Sequence, residues 1–209
     1  MAKETNPAVV EEQQVAVDAT ANDVKNDVNF EDVFANLCND EANNVVKNAE
    51  IYSIRVGNRQ KAYSLNDDEV NPSDLFLTIK TNKKVHAYRA NEDGEFEEII
   101  SNQFQIGYYS FLGAVNNSAN AVVRRMAAKI QRAVAAKAFA VFEDFFVGGS
   151  IDIVQQEVKE GETYVNPFSA NGAEQEISHD MFITYIGNIR LDDSAIAGMQ
   201  ASRAKSFDW

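Results

Sequence analysis

Polar and apolar residues alternate with a period of two after Glu50, and this spacing is typical of half-buried β-strands. Residues 75–80 show it most clearly. The predicted core face of this segment carries Leu75, Leu77 and Ile79, and the opposite face carries Phe76, Thr78 and Lys80.

The same alternation predicts extended segments at 50–56, 61–65, 85–90 and 95–100, which together form an antiparallel meander. Gly57-Asn58 indicates a bend or bulge, Thr81-Asn82 a turn, and the NEDG sequence at 91–94 a tight turn. In the first segment, Ile51, Ser53 and Arg55 are predicted on one face, opposite Tyr52, Ile54 and Val56. Residues 103–115 fit either a strand or a helix.

Two segments have helical spacing instead. Residues 29–47 predict a short amphipathic helix, with apolar residues at Phe30, Val33, Phe34 and Leu37. Residues 118–146 predict one long helix, capped by Asn117 or Ser118 and ended by Gly148-Gly149. Its apolar stripe comprises Val123, Ala127, Ile130, Val134, Ala138, Val141 and Phe145, and its opposite ridge comprises Arg125, Lys129 and Arg132.

A C-terminal strand pair follows, at 150–158 and 179–191, joined by a loop of about 20 residues of the kind that is often functional. The element order predicts a mainly β domain with one long helix, an α+β protein. We expect an OB-like antiparallel barrel, with an open antiparallel sheet packed on the helix as the alternative. The globular domain is predicted at 29–191, between a disordered acidic arm at 1–28 and a tail at 192–209.

The composition argues against several classes of protein. The 209 residues include one cysteine and two histidines, which argues against disulfide-rich and zinc-based proteins and fits a reducing cytoplasm. No segment has the roughly 18 consecutive apolar residues of a membrane span, and the first residues lack a signal-peptide pattern. We therefore expect a cytoplasmic protein that does not engage membranes.

The charge is unevenly distributed. The net charge is −13, yet three windows without acids, 51–65, 75–90 and 120–140, hold 12 of the 16 bases after residue 50. An acidic molecule with one basic face is therefore predicted, and a set of solvated surface charges is the alternative.

Aromatic residues lie among these bases, and single-stranded nucleic acid is bound by cations that follow phosphates and by rings that stack on bases. The predicted binding residues are Arg55, Arg59, Lys61, Phe76, Lys80, Lys83, Lys84, Tyr88, Tyr164 and Phe168. Three structural alternatives stay open: Phe76 packs under the N-terminal helix, Tyr164 and Phe168 anchor their loop, and the ridge on the long helix is merely solvated.

The segments FVGGSIDIVQQEVKEGETYVNPF and HDMFITYIGNIRL resemble the last two strands of phage-type single-stranded DNA-binding proteins, and the resemblance covers about residues 50–191. It implies an OB-fold that binds single-stranded DNA during phage replication or recombination in the host cytoplasm. Such proteins often recruit replication partners through an acidic tail with a terminal aromatic. Phe207, Asp208 and Trp209 match that tail in part, although Arg203 and Lys205 interrupt it.

Catalytic motifs are missing: the chain has no GxGxxG, GxxxxGK[ST], GxSxG or HExxH. We therefore expect a non-catalytic protein without cofactor or metal. A virion component, such as a capsid, connector or packaged protein, is the alternative function, because an acidic arm, a β-rich core and a long helix suit that role too. Whether the protein forms a homo-oligomer stays open at this point.

Overall fold

The computed structural model describes residues 29–58, 71–90, 96–169, 172–193 and 197. Its helices are α1 (Phe30–Asn39), α2 (Tyr108–Asn116), α3 (Ala121–Ala135) and α4 (Val141–Phe146), with a 3-10 turn at Pro72–Asp74. Its strands are β1 (Asn44–Asn58), β2 (Leu75–Ala90), β3 (Phe96–Gly107), β4 (Ser150–Val158), β5 (Thr163–Tyr164), β6 (Gln175–Glu176) and β7 (Met181–Arg190).

Five strands form one antiparallel sheet in the order β3-β2-β1-β4-β7, and β5 pairs with β6 separately. The first strand belongs to both halves of the sheet: residues 44–50 pair with β4 and residues 51–58 pair with β2. Within the described ranges, no strand pairing joins the edge strands β3 and β7. The sheet is therefore open, as in the alternative architecture, and the closed barrel that the sequence favoured is not found.

A β-bulge at Asn48, where φ is 54°, lets β1 bend between the two halves. The bulge frees the N–H of Asn48, which donates to the buried carboxylate of Asp152 (2.8 Å). Asp152 also accepts bonds from Asn188 Nδ2 (2.9 Å) and Arg190 Nη1 (3.0 Å) on β7. Burial by itself raises the pKa of Asp152, but the bonds from Arg190, Asn48 and Asn188 bring it below its ordinary value.

Beyond the bend, the side chain of Gln155 on β4 substitutes for a neighbouring strand. Its Oε1 accepts from the N–H of His86 on β2 (2.8 Å), and its Nε2 donates to the C=O of His86 (2.7 Å) and to Thr184 Oγ1 (3.1 Å). The His86 ring also lies 4.3 Å from the ring of Phe182 on β7, measured between centroids. These contacts hold the far end of β2 against β4 and β7, so the open sheet is strongly curled.

Helices α2, α3 and α4 pack on the inner face of this curled sheet and enclose the main hydrophobic core. The Oδ1 of Asn120 accepts from the N–H of Val122 (2.9 Å) and caps α3, two or three residues after the predicted cap. The buried stripe of α3 is Val123, Met126, Ala127, Ile130 and Val134. Four of these five positions were predicted from the helical spacing.

The single helix predicted over 118–146 is wrong, because α3 ends at Ala135 and α4 begins only at Val141, with Lys137 at φ 57° between them. Phe142 and Phe146 of α4 are fully buried and pack edge-on against Phe111 of α2, with ring centroids 5.8 and 5.0 Å apart. With this break between the two helices, both rings lie in the core. Tertiary packing thus outweighs the helical propensity of the alanine-rich segment between the two helices.

A smaller core lies on the opposite, outer side of the sheet, over β4 and β7. The short N-terminal helix was predicted, although it ends at Asn39 and residues 44–47 belong to β1. Phe34 of α1 covers Gly187 of β7 so closely that a Cβ there would come within 2.7 Å of the ring. Phe30 stacks on Phe168 from the long loop, with centroids 4.5 Å apart. The N-terminal helix and this loop therefore cover the outer side of the sheet over β4 and β7.

Candidate nucleic-acid interface

Three rows of side chains cross the outer side of β1, β2 and β3, because opposite residues in an antiparallel pair project from the same side of the sheet. The rows are Gly57, Phe76 and Gly107; Arg55, Thr78 and Gln105; and Ser53, Lys80 and Gln103. We call these nine residues the outer face. Successive rows are two residues apart along each strand, or about 6.8 Å.

The alternation predicted for β2 is confirmed here. Leu77 and Ile79 are buried in the main core, while Phe76 and Lys80 project from the outer side. In β1 the predicted alternation is partly wrong, since a register shift between Ile51 and Ser53 turns both Ile51 and Ile54 into the core. The bulge leaves Tyr52 exposed at 52%. Arg55 and Ser53 still share one side, as predicted.

Phe76 is a half-buried ring that rests on the backbone of its neighbours. The tip of the ring lies over Gly57 of β1, where a Cβ would overlap ring carbons. Its other neighbour in register is Gly107 of β3, which also lacks a side chain. Glycine covered by an aromatic ring is a recurrent arrangement on sheet surfaces. The alternative that Phe76 packs under the N-terminal helix is not supported, because α1 packs on Gly187 instead.

Positive and neutral polar groups surround this ring. Arg55 and Lys80 are exposed in adjacent rows on adjacent strands. The other side chains of the outer face are hydroxyls and amides, and none of the nine residues is acidic. Among the described residues, the acids that flank the outer face along its strands are Asp74 just before β2, Glu50 on β1 and Glu98 on β3, where the Glu98 carboxylate contacts His86 Nδ1 (2.6 Å). The outer face is therefore locally cationic on an acidic molecule.

Two more cations lie at the end of the outer face. The segment predicted as a turn at Thr81-Asn82 is instead an irregularity within β2, where the register with β3 shifts between Lys80 and Val85. Thr81 is buried, and its hydroxyl donates to the C=O of Lys83 (2.9 Å) while accepting from the Lys83 N–H (3.3 Å). This bonding fixes the backbone that carries Lys83 and Lys84, both of them exposed.

Two of the predicted binding residues pack against other aromatic side chains of the protein. Tyr164 is 6% exposed, and its hydroxyl lies 2.7 Å from that of Tyr185, so burial raises its pKa. Phe168 is half-buried between the rings of Phe30 and Tyr185. A ring enclosed in this way offers no free face to a base. Tyr164 and Phe168 are therefore corrected to anchors of their loop, which is the alternative that the sequence left open.

The remaining predicted residues fall partly outside the described ranges. Arg59 and Lys61 lie between β1 and the 3-10 turn, in residues 59–70, which the structure does not describe. Tyr88 is described only by its place in β2, opposite Glu98. The terminal Phe207-Asp208-Trp209 and the 1–28 arm also lie outside the described residues.

Four polar residues of the outer face were missed from the sequence: Ser53, Thr78, Gln103 and Gln105. The last two lie in 103–107 (QFQIG), whose alternation is visible but which was ambiguous between strand and helix. The structure resolves the ambiguity at the end of β3, where α2 begins at Tyr108. Pairing of β3 with β2 then places both amides on the outer face.

The basic ridge of α3 does not join the outer face. Arg125, Lys129 and Arg132 are exposed on a helix that covers the inner side of the sheet. Lys129 Nζ lies 5.6 Å from the centroid of the Phe145 ring, a cation–π contact within the helical layer. The ridge thus provides a set of exposed cations on the opposite side of the sheet from the outer face.

Searches for other chemistry in the described part of the chain find no cluster of three metal-ligating residues and no helix of the length and hydropathy needed to cross a bilayer. Comparison with protein-family models, curated proteins and solved structures gives no match for this chain. The similarity to phage-type single-stranded DNA-binding proteins therefore stays a prediction from sequence pattern.

Proposed function

We propose that this protein is a non-catalytic, sequence-tolerant binder of single-stranded nucleic acid, and that the outer face is its interface. One observation carries the proposal: Phe76, Arg55 and Lys80 project from the same side of two paired strands, among side chains that are neutral and polar. Such binding combines cations that track the backbone with rings that stack on bases. The outer face contains both elements.

The spacing of the rows suits an extended strand. A base stacked on Phe76 brings its sugar–phosphate within one row of Arg55, and the following phosphate within reach of Lys80 in the next row. Gln103 and Gln105 lie beside this path, where their amides can bond to base edges of any identity. A duplex has its bases already stacked inside, so it cannot use the Phe76 platform except at an end.

The strand connectivity supports the same function. Helices lie between the third and fourth strands of the sheet, and a bent first strand is shared by both halves, as in the OB topology with its barrel left open. Proteins of that topology bind oligonucleotides on the face of their second and third strands and in the adjoining loops. Here that face carries Phe76 and Lys80, and the predicted Arg59 and Lys61 fall in the adjoining segment. The sequence resemblance adds a role in phage replication or recombination.

The direct test is fluorescence anisotropy of labelled oligo-dT and of a duplex of equal length. We expect the single strand to bind more tightly, and the double variant R55Q/K80Q to bind it more weakly. The double variant K129Q/R132Q removes the same charge from α3 and should bind as the parent does. Equal losses in both double variants would show that only total charge matters. Absence of binding together with assembly into large particles would favour the virion alternative.

A further inference from the structure

Among the strands that the structure describes, β3 (12 residues) lies at one edge of the sheet. β2 pairs with one side of it, and no described strand pairs with the other. An edge of this kind presents a row of N–H and C=O groups that can pair with another chain. Ile100 in the middle of β3 is 55% exposed, one of three large hydrophobic side chains with that degree of exposure among the described residues.

The direction of the main-chain groups of Ile100 follows from its partner in register. His86 lies opposite Ile100, and both the N–H and the C=O of His86 point away from β3 toward Gln155. In an antiparallel pair, two opposite residues exchange either both hydrogen bonds or none. His86 and Ile100 therefore exchange none, and the N–H and C=O of Ile100 point outward from the sheet.

Two of the features that protect an edge strand, proline and lysine, are missing from β3, although it carries the charges of Glu97 and Glu98. Its sequence, FEEIISNQFQIG, contains no proline, lysine or arginine. Both edge strands are irregular in part: the register of β3 with β2 shifts at residues 101–103, and Asn188 of β7 adopts φ 47° near a register shift with β4. The β3 edge is the more suitable of the two for pairing, because α1 covers β7 at Gly187 while Ile100 is exposed on β3.

We propose that a second copy of this chain pairs antiparallel with β3 about a two-fold axis through Ile100. Each Ile100 then faces Ile100 of the other copy, and the outward N–H and C=O groups exchange two hydrogen bonds. Glu98 falls opposite Asn102, and Glu97 opposite Gln103, so no two carboxylates face each other. This self-complementarity favours a second copy over an unrelated strand.

The pairing has a consequence that rests on the proposed function. The two-fold axis of an antiparallel strand pair is perpendicular to the sheet, so the outer faces of both copies point to the same side. Gln103 and Gln105 of each copy lie on the strand next to the axis. Two interfaces would then adjoin on one continuous sheet, and a longer oligonucleotide would engage both. Dimer formation itself does not require nucleic acid.

Sedimentation equilibrium of the full chain without nucleic acid tests the proposal. We expect a reversible dimer of about twice 23.2 kDa. The variant I100K places like charges directly opposite each other, which destabilises a strand pair, so its dimer dissociation constant should rise by about tenfold or more. The control V165K changes another exposed aliphatic residue (44% exposed) outside β3 and should dimerise as the parent does. A monomer at every concentration, or an I100K dimer of unchanged affinity, would overturn the proposal.

A covalent test does not depend on how well I100K folds. In the proposed register, opposite residues at the axis have Cα atoms about 5.5 Å apart, within the range that a disulfide spans. Mild oxidation of I100C should therefore yield a covalent dimer, while the parent, whose Cys38 is half-buried in its own subunit, should not. The control V165C should stay monomeric under the same treatment. If I100C and V165C cross-link equally, the contact is random collision and the proposed register is wrong.

Discussion

Binding at the proposed interface has two contributions, phosphate contacts by cations and base stacking on Phe76, and they differ in their dependence on salt concentration. A cation that contacts a phosphate releases counterions, so the logarithm of the binding constant falls with the logarithm of salt concentration, by about 0.7 per phosphate for single strands. Stacking on a ring has no such dependence. R55Q and K80Q should therefore each reduce the slope by about 0.7, while F76A should leave the slope unchanged.

The expected effect of F76A on the dissociation constant follows from the free energy of stacking one base. A stacked base contributes about 1–3 kcal/mol, so F76A should raise the dissociation constant of oligo-dT about 5- to 150-fold at every salt concentration. Phe76 belongs to neither hydrophobic core, so its removal should leave the fold intact. Thermal unfolding of each variant checks that condition.

The assay is the anisotropy titration repeated between about 50 and about 200 mM salt, a range over which phosphate contacts are strongly weakened. K129Q serves as the control, because it removes one cation from the opposite side of the sheet. The interface is wrongly placed if F76A binds as the parent does, or if K129Q changes the slope as much as K80Q.

Three further predictions concern the glycines and the buried carboxylate. G57A should displace the Phe76 ring, since the new Cβ would overlap it, and should weaken oligonucleotide binding in the titration while changing the melting temperature little. G187A should instead reduce the free energy of unfolding by about 1–3 kcal/mol in urea denaturation, because the Phe34 ring must leave a packed position. The lowered pKa of Asp152 means that its contribution to stability is complete above its ordinary value of 3.8 and is lost as pH falls through the lower, folded value. D152N should therefore be less stable than the parent at neutral pH, and the difference should shrink below about pH 3.8 in acid-induced unfolding. If the stability difference between D152N and the parent is the same at all pH values, the charge of Asp152 does not contribute to stability.

Local periodicity predicted the part of the proposed interface that lies within a single strand. The alternation in 75–80 is enough to place Phe76 and Lys80 together, because side chains two residues apart in a strand share a face. The short helix at the N terminus and the last two long strands were predicted for the same reason. The boundaries shifted by several residues where the chain continues into β1, whose first part pairs with β4 rather than β2.

Features that depend on distant partners could not be predicted in this way. The bulge before Ser53 shifts the faces of β1, and it is stabilised by pairing with β2, which the β1 sequence alone does not reveal. The break after α3 depends on the pocket that Phe111 provides for two rings of α4. Tyr164 was predicted to bind bases from its place in a loop, but its hydroxyl partner Tyr185 lies 21 residues away.

The net charge of −13 bears on how the proposed interface would operate. At about 0.1 M salt the Debye length is about 10 Å, so exposed acids farther than this from the outer face are largely screened from a bound phosphate. Arg55 and Lys80 act at contact distance, where screening is weak. At lower salt the screening length grows and the negative molecule as a whole repels the strand, which opposes the gain from counterion release. Under the proposed function, the acidic remainder of the chain thus limits association at a distance, and the outer face determines affinity at contact.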